Sequence, residues 1–148
     1  MIDALVLLRL RRFLLFVSAS LFVGTVVELL LVNHMETFVQ LIPFVLSGLG
    51  LVCVVAVLLR PQRVVMLALR ACMLLVVAGS LFGIYEHVEG NLGFQRELHP
   101  NATAGKVVLG ALGGANPLLA PGILALAATL ALAATYYHPA LAKTRKEE

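Results

Sequence analysis

Four stretches of this chain, residues 13–32, 38–59, 64–84 and 118–137, are almost wholly apolar and each runs to about 20 residues. At 1.5 Å per residue, about 20 helical residues match the ~30 Å hydrocarbon core of a bilayer. Composition narrows the choice further. Only 13% of the 148 residues are charged and 61% are hydrophobic, whereas a water-soluble domain uses about 25% charged residues to cover its surface. No segment alternates apolar and polar residues with period two, which argues against a membrane barrel. The expected fold is therefore all-α and integral to the membrane. It is a four-transmembrane-helix bundle forming one domain over 1–148. The first stretch follows Arg9, Arg11 and Arg12 as a signal peptide would. It is longer than a signal h-region and no small-x-small cleavage site follows, so it is expected to be a retained helix.

The connections set the topology. NHMET (Asn33–Thr37) and RPQR (Arg60–Arg63) are short, so the first three helices run up, down and up. The third connection, 85–117, is long. Its second part, ATAGKVVLGALGGANP, is expected to form a short amphipathic or re-entrant helix ended by Gly113, Gly114 and Pro117. Basic residues collect at the N-terminal flank, at Arg60 and Arg63, and in the tail at Lys143, Arg145 and Lys146. The positive-inside rule then puts both termini in the cytoplasm and the long connection outside it. Tyr136 and Tyr137 fall at the inner interface as an aromatic anchor, with His138 beside them. The residue usage points to a bacterial inner membrane. The scattered basic residues read as topology signals, which excludes nucleic acid as a partner.

One ionisable residue, Glu28, lies within the first stretch, and charge there is costly enough to suggest function. Ser20, Gly24 and Glu28 recur at i, i+4 and i+8, as do Gly79, Gly83 and His87 in the third helix. Small residues at that spacing permit close helix approach. The two stripes are expected to pack together, turning Glu28 into the bundle beneath His87. Pro43 at a similar depth leaves a backbone carbonyl free. With the short first connection, the outer end would gather Glu28, His34, Glu36, Glu86, His87 and Glu89. Carboxylates and imidazoles are ligands for zinc, iron, manganese or copper(II). The expected metal ligands are Glu28, His34, Glu86, His87 and Glu89, with a divalent metal cation as cofactor. No HExxH, Glu-x-x-His or Cys/His spacing accompanies them. Gly90-Asn91 reads as the stop of the third helix.

Beyond that stop, Glu97, His99 and Asn101 form a loop able to fold back as a lid, with His99 held extended before Pro100. Asn101-Ala102-Thr103 matches a glycosylation sequon, relevant only in a eukaryotic secretory route. Arg70 is expected to snorkel to the cytoplasmic surface. Cys53 and Cys72 read as small buried hydrophobes. Quinone-coupled disulfide oxidases with four spans need external cysteine pairs, and b-type cytochromes need histidines facing each other within spans. The chain has neither. The alanine-rich fourth helix suits tight packing in a homo-oligomer or a larger membrane complex. The expected function is binding, as an accessory or interaction subunit with an extracytoplasmic acid and histidine cluster. The alternative is an oligomeric cation or proton transporter or channel with Glu28 in its path. A metal-dependent membrane enzyme is a third class, for which the sequence offers no nucleophile and base pair and no catalytic residue.

Overall fold

The computed structural model describes residues 2–142, so the basic tail at Lys143, Arg145 and Lys146 lies outside the described residues. The described chain is helical throughout: α1 (Ile2–Leu31), α2 (Phe38–Leu59), α3 (Arg63–Leu98), α4 (Ala104–Leu112) and α5 (Leu119–Ala134), then a 3-10 turn at Pro139–Leu141. Among the described residues there is no strand. Helices α1, α2 and α3 are long and apolar enough to cross a membrane. Helix α5 is equally apolar but only 16 residues long, about 24 Å.

Local chemistry explains most boundaries. Thr37 starts α2 with a reciprocal cap: its hydroxyl accepts from the Gln40 N–H, and the Gln40 side chain accepts from the Thr37 N–H at 3.1 Å. Pro61 follows the end of α2, where a helix cannot continue unbroken. The expected stop of α3 at Gly90-Asn91 does not occur. Gly90 keeps ordinary helical backbone, since no described glycine has positive φ, and a glycine stop depends on the left-handed conformation. The helix runs on to Leu98 and ends where Pro100 disfavours helical backbone at the residue before it: His99 has φ −132° and ψ 66°. At 36 residues α3 is about 54 Å long, well beyond a bilayer core.

Four helices share one core. Helices α1, α2, α3 and α5 form a four-sided arrangement in which α1 packs on α2 and α5, and α3 packs on α2 and α5. Across one diagonal α2 meets α5; across the other, α1 and α3 make no contact. Alanine explains the short diagonal. Ala127, Ala128, Ala131 and Ala134 of α5 are buried, and their small side chains allow close approach. Phe22, Val54, Leu69, Met73 and Val76 fill the centre with no exposed surface. Gly50 makes room for the ring of Phe22: a β-carbon there would come within 2.5 Å of it. Gly79 plays the same part for Leu46, and a β-carbon on Gly83 would lie 3.1 Å from Pro121.

These contacts correct the expected pairing of small stripes. The α3 stripe does pack inward, but against α2 and α5. The α1 stripe faces out: Ser20, Gly24 and Glu28 are all exposed, and a β-carbon on Gly24 would meet nothing within 4 Å. The core face of α1 is instead Leu15, Ser18, Phe22 and Thr25. Those positions are spaced three, four and three, half a turn away from the stripe.

Candidate functional site

The polar side chains collect at the two ends of the bundle. We call them the histidine end, where α1 finishes and α5 begins, and the arginine end, where α3 begins and α5 finishes.

At the histidine end the organiser is Asn91, a residue the sequence reading took for part of a helix stop. It is 1% exposed. Its amide nitrogen donates to the carbonyls of Ala111 and Asn116, each at 2.9 Å, and its amide oxygen accepts from the Asn116 N–H at 3.0 Å. One side chain thus ties the end of α4 and the segment leading to α5 onto α3. Gly114 passes so close to this amide that a β-carbon would overlap it. A signal for Asn91 did exist. The buried face of α3 reads Met66, Leu69, Met73, Val76 and Ser80, and the same three-and-four spacing continues through His87 to Asn91.

His87 follows the same face and pairs its Nδ1 with the Pro117 carbonyl at 2.9 Å. His34, from the α1–α2 connection, lies near enough for the charge of His87 to disfavour its own protonation. Burial lowers the His34 pKa most, His87 lowers it further, and Glu36 opposes both. So His87 and Glu36 lie within electrostatic reach of His34. The remaining expected ligands are not brought to them as a set. Glu28 is on the outward face of α1, Glu89 is exposed and Glu86 is half-buried on α3. Among the described residues, no three His, Cys, Asp or Glu side chains converge on a place for a metal ion.

Further along, α4 turns back along the overhanging part of α3 and packs on no other helix. Val107 and Ala111 are its buried contacts. The hairpin encloses a cleft of about 700 Å³ lined by Gln95, His99, Asn101, Thr103 and Lys106 among others. The opposite face of α4 carries exposed Val108, Leu109 and Leu112.

The arginine end is built differently. Arg11, on α1, is only 8% exposed. Its Nη2 donates to the carbonyls of Tyr136 and Tyr137 at 3.1 and 2.8 Å. Arg70, on α3, donates from Nε to the Thr135 hydroxyl at 2.9 Å and from Nη2 to the Thr135 carbonyl at 3.2 Å. The expected snorkelling of Arg70 to the surface gives way to this internal contact. The C-terminal end of a helix carries partial negative charge, and two guanidinium groups meet the turn that follows α5, residues 135–137. His138 closes the turn, accepting from the Ala140 N–H at 3.2 Å. Burial, and then the charge of Arg11, lower its pKa.

Comparison with protein families, with curated proteins and with solved structures finds no match to this chain.

Proposed function

We propose that the protein is a small multi-pass membrane protein of the bacterial inner membrane. In this reading it crosses the bilayer four times, holds both termini in the cytoplasm, and acts by binding through its histidine end as an accessory or interaction subunit. The observation that carries the reading is the overhang of α3, about 54 Å long, with α4 folded back on it around a polar cleft. A helix that only spans has no use for about four extra turns bearing a buried asparagine. The fourth span is α5, whose 16 residues continue into the turn at residues 135–137 held by Arg11 and Arg70. Helix α4, folded back along the α3 overhang, turns Val108, Leu109 and Leu112 outward as an exposed apolar face.

The transport reading draws less support. Among the described residues the buried polar ones are Arg11, Ser18, Thr25, Ser47, Ser80, Asn91 and Thr135, and no carboxylate is among them. Glu28 faces away from the bundle, so a path through it would need a second copy. A photo-crosslinking residue at Asn101 or Thr103, used in intact cells, tests the binding reading. A discrete adduct lost on Lys106→Glu is expected. The same adducts from lipid-facing Leu67, or none from the cleft, would sink it. Cysteine at Asn101, with Cys53 and Cys72 replaced, should also react with an impermeant thiol reagent from outside.

A further inference from the structure

The arginine end carries more positive charge than its partners neutralise. Arg11 and Arg70 bond only to neutral acceptors, on Thr135, Tyr136 and Tyr137. A helix C-terminus contributes about half a negative charge against two full positive ones. No acid among the described residues balances them. Asp3 lies two turns away along α1, and Glu28, Glu36, Glu86, Glu89 and Glu97 belong to the other end. One donor on the most buried group, Arg11 Nε, has no partner. Nη1 of either arginine bonds to no described residue. A buried cation without a counter-charge is strongly disfavoured.

We propose that Arg11 and Arg70 together bind a phosphate oxyanion at the end of α5. The planar guanidinium presents donors in a fork that fits phosphate oxygens. Arg11 spends Nη2, and Arg70 spends Nε and one hydrogen of Nη2, on residues 135–137, which leaves Nη1 of each for the ligand. Two sources supply this chemistry: the headgroup of an anionic phospholipid and free phosphate. Position favours the lipid. Arg11 stands two residues before the apolar run of α1 begins. Tyr136 and Tyr137, both largely exposed and stacked edge to face at 4.5 Å, are placed as interfacial aromatics are. Basic recesses between spanning helices are known to hold such headgroups. The site is separate from the histidine end and stands whether or not that end binds a partner.

The test uses the full chain in detergent, followed by native mass spectrometry and thermal melting. Phosphatidylglycerol should be retained and should raise the melting point, while phosphatidylcholine should do neither. Inorganic phosphate at millimolar concentration gives the same rise if the free anion is the ligand. Arg11→Gln and Arg70→Gln should each weaken binding about tenfold, the loss of one charged hydrogen bond. Arg12→Gln, on the exposed side of α1, should leave it unchanged. Arg70→Lys guards against loss of folding, since it keeps the charge and a donor for Thr135 but loses the fork. It should melt normally and bind more weakly. Equal retention of both lipids with no response to phosphate overturns the proposal. So does equal weakening by Arg12→Gln and Arg11→Gln, or native affinity in Arg70→Lys.

Discussion

A neutral amide organises the histidine end, and two cations organise the other. Asn91 makes three hydrogen bonds and leaves no donor over. Arg11 and Arg70 make four between them and leave donors unused. The first arrangement is closed: it fixes α4 and the start of α5 and needs nothing more. The second is open, with charge still to be met. A saturated network rigidifies its surroundings, whereas an unsaturated charged one is costly until its charge is met. Arg70, expected from the sequence to reach the cytoplasmic surface, belongs to the open end. Asn91, expected from the sequence to stop α3, supplies the closed one.

The sharpest way to break this contrast is at Asn91. Asn91→Leu keeps the volume but strands two carbonyls and one N–H. It should cost about 3 kcal/mol or more. The loss should be local: amide hydrogen exchange should rise over Ala104–Leu112 and leave Val54 and Val76 protected. Uniform exchange across all helices would mean that the hairpin and the bundle unfold together, and the closed end would not be a separate unit.

Arg70→Leu should cost less, about 1.5–3 kcal/mol in reversible unfolding, because removing the charge relieves part of the burden of burying it. Fraying should appear at Ala133 and Ala134 and nowhere at the histidine end. A cost above that of Asn91→Leu would invert the comparison.

Acid is the third probe. The folded-state pKa of His34 is lowered, mainly by burial, so the unfolded chain binds its proton more readily. Stability from this group is full above the ordinary histidine value of about 6.5 and is lost as pH falls through that value toward the folded one. The melting point should therefore drop on acidification from pH 7.5 to 5.5, and His34→Gln should flatten part of the drop. His138 shifts the same way, so His138→Gln should remove a further part. An unchanged slope in both variants would disprove the assignment.

The smallest effect should come from the residue that stood out most in the sequence. Glu28→Gln should alter stability by less than about 0.5 kcal/mol in detergent, since Glu28 is exposed and has no partner among the described residues. A large change would show that the outward face of α1 is covered in the assembled state.

The helices were legible because lipid leaves the backbone no alternative to internal hydrogen bonding. Apolar length alone placed α2 over Phe38–Leu59, the expected 38–59, and the short α4 was legible from its glycine boundary. Orientation of each helix about its axis was not. Small residues fit either a packed face or a lipid face, and Ser20-Gly24-Glu28 and Gly79-Gly83 look alike until their neighbours are known. What separates them is bulk on the partner: Leu46 and Pro121 reach Gly79 and Gly83, and nothing reaches Gly24. Of the polar candidates, His34 and Glu36 share one short connection, and His87 lies within electrostatic reach of His34. The arginine end was not legible, because three of its four acceptors are backbone carbonyls, which no side-chain pattern announces.

The missing contact between α1 and α3 bears on how the protein is made. A chain leaves the ribosome at about 5–20 residues per second, so several seconds separate completion of α1 from completion of α5. In that interval α1 has only α2 to lean on. Ser18 still lacks the Ala127 carbonyl to which it donates at 2.8 Å in the finished fold, and Arg11 and Arg70 have no helix end to meet. The nascent protein is an open trough, and the strand of synthesis that seals it comes last.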